Sequence, residues 1–84
     1  MLKIYSKPHC AFCDRAKNYL RDMDIDFVEV DIEKNQEALL FIKEQGHKTV
    51  PQLYVDDELF VEGGWQGLSK MTREQVLDKI QGKT

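Results

Sequence analysis

The sequence predicts an α/β fold: a four-stranded mixed sheet with three helices, in the order β-α-β-α-β-β-α. Three observations predict it. Two cysteines, Cys10 and Cys13, form a C-x-x-C just after a short apolar run and just before an amphipathic stretch. That stretch lies between two β-prone runs, which makes a βαβ unit with parallel strands and a right-handed crossover. Further on, two short runs flank an acidic turn as a hairpin, and a capped helix follows.

Taken in order, Leu2 to Ser6 is the first strand, with β character from Ile4 and Tyr5. Lys7-Pro8-His9 is the approach to the cysteines, and His9 reads as an exposed loop residue. The first helix runs from Cys10 to about Met23. Phe12, Ala16, Tyr19, Leu20 and Met23 recur at helical spacing and form one apolar stripe. Phe12 reads either as the top of that stripe or as an exposed aromatic beside Cys10. Phe27 to Ile32 is the second strand. Asn35 to Gln45 is the second helix, since helix formers surround Ala38-Leu39-Leu40-Phe41-Ile42 and Gly46 stops it.

Pro51 opens the third strand, Gln52 to Val55, where a missing N–H is tolerated. Asp56-Asp57-Glu58 is the turn, and Leu59 to Val61 the fourth strand. Gly63-Gly64 marks a backbone that turns sharply or comes close to another group. Trp65 to Met71 reads as a turn or a helical start. Thr72 and Gln75 make a capping box for the last helix. Val76, Leu77 and Ile80 face the core, and Gly82-Lys83-Thr84 frays.

Size and charge narrow the function. The chain has 84 residues, so one domain spanning 1–84 is expected. A net charge of −3 gives no electrostatic reason to expect nucleic-acid binding. No apolar run approaches membrane-spanning length, and no basic region with a long apolar stretch follows Met1. The expected setting is a reducing cytoplasm, where a C-x-x-C is cycled rather than left oxidised.

The chemistry follows from the junction. A thiol attacks or leaves as its thiolate. The unsatisfied N–H groups and the dipole at a helix start stabilise a nearby anion. Cys10 falls at the N-cap and reads as the exposed nucleophile, with Lys7 three residues before it. Cys13 sits one turn inside and reads as the shielded resolving thiol. Zinc is a poor alternative: a structural site needs four ligands, and His9 and His47 form no second pair. A structural disulfide is another poor fit, because so small a loop removes little unfolded-chain entropy.

The element order and three motifs resemble a glutaredoxin, of the thioredoxin-fold superfamily, over essentially the whole chain. Lys7-Pro8-His9-Cys10-Ala11-Phe12-Cys13 resembles that family's active site. Thr49-Val50-Pro51-Gln52 matches its T-V-P element, whose proline is cis, and Gly63-Gly64 its G-G element. The resemblance implies a dithiol oxidoreductase with glutathione as cofactor. Cys10 would form the mixed disulfide and Cys13 would resolve it. Val50 would offer its backbone to the tripeptide. Lys7, with His47 or Lys48, would meet the glycine carboxylate. Phe12, Thr49 and Pro51 would line the groove, and Gly63 and Gly64 would admit the γ-glutamyl end. The implied partners are disulfide-bearing proteins, met by a monomer.

Two departures open alternatives. The aspartate usual after G-G is absent. Trp65-Gln66-Gly67-Leu68 instead resembles the W-S-G-F of glutaredoxin-like redoxins that reduce ribonucleotide reductase and are recharged by thioredoxin reductase. The proline usual inside the C-x-x-C is Ala11. Relatives lacking it can bridge a [2Fe–2S] cluster between two protomers, which here would make Cys10 a ligand.

Overall fold

The computed structural model describes residues 1–82. Among them, four strands form one sheet: β1 (Leu2–Ser6), β2 (Phe27–Asp31), β3 (Gln52–Val55) and β4 (Glu58–Leu59). The helices are α1 (Ala11–Asp22), α2 (Gln36–Glu44), α3 (Trp65–Leu68) and α4 (Arg73–Ile80). The strand order is β2-β1-β3-β4. β1 runs parallel to β2 and antiparallel to β3, and β3 and β4 form the antiparallel hairpin. The mixed sheet and the βαβ start are those expected from the sequence.

Side-chain alternation along β1 and β3 builds a core on each face of the sheet. Leu2 and Ile4 join Leu53 on one face, with Ala16 and Leu20 from α1, Leu68 from α3 and Val76 from α4. Tyr5 and Tyr54 point to the other face and pack with Ala38 and Ile42 of α2. The register that pairs Ile4 with Leu53 keeps each set on its own side.

Side chains cap the starts of α2 and α4, and of these two only the cap of α4 was read from the chain. The Asn35 side chain accepts from the Ala38 N–H at 3.1 Å. Thr72 and Gln75 close a reciprocal capping box, at 3.2 and 2.9 Å. Leu77 and Ile80 pack against the core beside Val76.

Some expectations shift. Phe12 is not the top of the core stripe: it is exposed, and the Arg15 guanidinium lies 5.5 Å from its ring centroid. Position 13 takes the buried place instead, with Cys13 fully covered. The inward face of α1 is the line Cys13, Ala16 and Leu20, and residue 12 lies off that line toward solvent. The fourth strand covers Glu58–Leu59 rather than reaching Val61; the turn is Asp56-Asp57, both at positive φ. The Phe60 N–H still bonds to the Leu53 carbonyl at 2.8 Å, after which the chain leaves the sheet. Trp65–Leu68 forms one helical turn, a fourth helical element. The expected fraying of Lys83-Thr84 lies outside the described residues. None of the helices among the described residues is long and apolar enough to cross a membrane.

Leu53 joins β3 to the larger core and is fully buried. Leu53→Ala is expected to cost about 2–5 kcal/mol through lost burial and a residual cavity. Urea unfolding followed by circular dichroism measures it.

Candidate active site

β1 delivers the chain to Lys7-Pro8-His9, and His9 adopts φ 59° just before Cys10. That turn sets Cys10 at the N-cap of α1. Its Sγ accepts from the Cys13 N–H at 3.2 Å, so a sulfur does the work of a capping oxygen. Cys10 is half-buried and Cys13 fully buried, and both are free thiols. The Cys13 thiol is pushed up to about 12, by burial first, then by its hydrogen bond with Cys10; the Lys7 backbone N–H works in the opposite sense.

A second segment comes to Cys10 from the far side of the sequence. The Cys10 thiol meets the Val50 carbonyl at 3.7 Å. The Val50–Pro51 peptide bond is cis. The buried Gln52 carboxamide donates to the Thr49 carbonyl at 2.9 Å and closes this loop on itself. Upstream, His47 Nε2 and the Tyr54 hydroxyl share a hydrogen bond of 2.6 Å, which ties the loop to β3.

A third segment holds the loop in place. Gly64 is buried at φ 55°, and a Cβ there would stand 2.3 Å from the Pro51 carbonyl oxygen. Only glycine permits that approach. Gly67 has its own reason: a Cβ would fall 2.0 Å from the Glu62 carbonyl oxygen.

Two clefts meet at Thr49 and Val50. One, of about 290 Å³, is lined by Lys7, Lys43, His47 and Lys48 above the apolar residues Ile32, Leu39 and Ile42. The other, of about 320 Å³, is lined by Phe12, Pro51, Gln52, Gly63, Trp65 and Gln66. The structure therefore brings Lys7, Phe12, Thr49, Val50, Pro51 and Gly63 into two clefts that share Thr49 and Val50, the latter in contact with Cys10. Gly64 stays behind them, packed on Pro51. Gln52, Tyr54 and Lys43 carry parts of this arrangement that sequence reasoning did not assign.

Charge is also organised near the cysteines. Lys17 Nζ lies 2.7 Å from Glu29 Oε2 and 3.5 Å from Asp14 Oδ1. The hydrogen bond from Lys17 holds the Glu29 carboxyl below its ordinary range, helped by the Ser6 hydroxyl at 2.8 Å. No group of three His, Cys, Asp or Glu among the described residues stands close enough to hold a metal ion. An iron–sulfur cluster would meet one surface sulfur here, Cys10, since Cys13 is enclosed. That is the one ligand a cluster bridging two protomers takes from each chain.

Comparison with known proteins now bears on the groove. The glutaredoxin family model matches residues 2–60, which hold both cysteines and the Val50–Pro51 loop. The chain belongs to the glutaredoxin family. It is a thiol–disulfide oxidoreductase by that membership, with a C-x-x-C at the expected junction. This glutaredoxin is 38% identical over 80 residues to glutaredoxin 3 of Escherichia coli, covering 94% of each chain. It is 32% identical over 60 residues to the glutaredoxin-like protein NrdH of Lactococcus lactis, covering 71% of this chain and 83% of that one. Among solved structures it superposes on a buckwheat glutaredoxin–glutathione complex with a TM-score of 0.76 and 16% identity, over 96% of this chain and 76% of that one. That likeness bears on the thioredoxin-like fold.

Three outcomes are expected from this geometry. In the native protein at pH 7, iodoacetamide modifies Cys10 and spares Cys13, as peptide mass mapping shows. In a Cys10→Ser variant, burial keeps the Cys13 thiol protonated, so its alkylation rises with pH well beyond the range of an exposed thiol, about 8.5. Gly64→Ala is expected to displace the Pro51 loop and lower the thermal midpoint by several degrees, whereas Gly46→Ala, with open space around it, lowers it less.

Proposed function

We propose that this glutaredoxin uses glutathione to reduce protein disulfides and glutathione mixed disulfides. The observation that carries the reading is the groove itself. Its two clefts meet at Val50, beside the Cys10 sulfur, and one of them is rimmed by four basic side chains. A short peptide disulfide laid along Val50 would place its sulfur at Cys10 and a terminal carboxylate at Lys7, His47 and Lys48. Phe12 and Thr49 line its path, and Gly63 leaves room for the γ-glutamyl end.

The chemistry then runs in two exchanges. Cys10 attacks the substrate disulfide, and one substrate sulfur leaves as a thiol. The Cys10 mixed disulfide is resolved either by Cys13 or by glutathione. Resolution by Cys13 leaves a Cys10–Cys13 disulfide, which two glutathione molecules reduce. The setting that keeps this cycle running is a reducing cytoplasm.

One observation favours a second reading. Gln66 occupies the cleft wall where an acid would hold the γ-glutamyl group, and Trp65 stands beside it. Together with the match to NrdH, this supports a redoxin that serves ribonucleotide reductase and is recharged by thioredoxin reductase. Gly67 does not discriminate, because packing on Glu62 accounts for it.

The charge rim supplies the test. Lys7→Glu/Lys48→Glu is expected to raise KM for a glutathionylated peptide about tenfold, about 1.4 kcal/mol, with a smaller change in kcat. A mixed disulfide with a thiol lacking a carboxylate should be processed as before. Equal effects on both substrates would remove glutathione from the groove.

A further inference from the structure

Cys13 has to lose its proton in a fully buried place before it can attack Cys10. In the reduced protein, burial, the hydrogen bond with Cys10 and the charge on Cys10 all hold the Cys13 thiol up. The Lys7 backbone N–H and the charge of Lys17 oppose them. A mixed disulfide on Cys10 abolishes both contributions of Cys10. Burial then stands against the Lys7 amide and the Lys17 ammonium alone.

The geometry around Lys17 is built rather than incidental. Lys17 lies one turn after Cys13 on α1, so the two side chains share a face. Its side chain is only 15% exposed, and Glu29 on β2 fixes its ammonium at 2.7 Å. Glu29 is itself bonded by the hydroxyl of buried Ser6, at 2.8 Å. Ser6 directly precedes Lys7, whose backbone N–H favours the charged form of Cys13. The charged or titratable groups around the thiol are Cys10, Lys17 with Asp14 on α1, and Glu29 on β2, both carboxylates paired with Lys17.

We propose that Lys17 is a positioning residue for the resolving step: clamped by Glu29, its ammonium stabilises the Cys13 thiolate that attacks Cys10. In that step the Cys13 sulfur bonds to the Cys10 sulfur and the bond from Cys10 to the substrate sulfur breaks. Cys13 is oxidised from thiol to disulfide level, while Cys10, already in a disulfide, keeps its oxidation state. The substrate sulfur is reduced, leaves as a thiolate and takes up the proton Cys13 gave. The proposal rests on Cys13 as the resolving thiol and is independent of glutathione. The competing view makes Lys17–Glu29 a plain tie between α1 and β2.

A chromogenic aryl disulfide separates these views. Stopped-flow mixing with the reduced protein releases one aryl thiol when Cys10 attacks and a second when Cys13 resolves. Lys17→Met is expected to slow the second phase about threefold at pH 7 and move its pH profile up by about one unit. That figure combines a tenfold loss of thiolate with a roughly threefold gain in its intrinsic nucleophilicity. The first phase should keep its rate, and Lys17→Arg should restore the second. Because Lys17→Met strands Glu29, Lys17→Met/Glu29→Gln is measured beside it, and the same slowing is expected. A second phase with the native rate and profile in both variants would overturn the proposal, as would equal slowing of both phases. Absence of a second phase in the native protein would instead overturn the assignment of Cys13, and the role of Lys17 with it.

Discussion

The site depends on how closely the backbone at Gly64 approaches Pro51. A single added carbon there would stand 2.3 Å from the Pro51 carbonyl oxygen. That contact presses the loop before β3 toward the start of α1, where the Val50 carbonyl meets Cys10. Three stretches distant in sequence, around residues 10, 50 and 64, thus converge on one sulfur. The loop has two further anchors, Gln52 to Thr49 and His47 to Tyr54.

The two cysteines differ because the helix start and the sheet treat them differently. Cys10, as N-cap, lies at the rim with its sulfur turned to the first-turn N–H groups. Cys13, one turn on, enters the layer between α1 and the sheet and loses all contact with solvent. This asymmetry is the basis of the proposed roles: the rim sulfur is partly open to solvent, and the other is covered. Local backbone geometry makes this asymmetry and needs no side chain unique to the chemistry.

Much of this was legible in the chain. Helical spacing located α1, flanking helix formers and the Gly46 stop located α2, Thr72 and Gln75 announced α4 by their capping box, and Cys10 and Cys13 marked the junction. What escaped was non-local. Phe12 fitted the apolar period yet faces water, because Cys13 takes the inward place in line with Ala16 and Leu20. Ile25 is buried although it belongs to no periodic run; a bond from its N–H to the Leu20 carbonyl folds it under the sheet. Lys17 and Glu29 looked like surface charges on separate elements, and only the parallel pairing of β2 with β1 brings them together. Tyr54 and His47 are likewise joined by folding. The glycines at 63, 64 and 67 were readable as special, but the atoms that require glycine at 64 and 67, the carbonyls of Pro51 and Glu62, were not.

The path proposed for a short peptide runs through the two clefts beside Val50, without the usual acid after the glycine pair. The basic rim and the Val50 backbone supply one half of it, and Trp65 and Gln66 shape the other. The most direct test is which reductant recharges the oxidised protein, followed by free thiols or by the emission of Trp65, whose ring meets Tyr19 edge-on at 5.4 Å. The account predicts rapid reduction by glutathione with glutathione reductase and none by thioredoxin reductase. Reduction by thioredoxin reductase alone would contradict it and make the segment from Trp65 to Leu68 the decisive one.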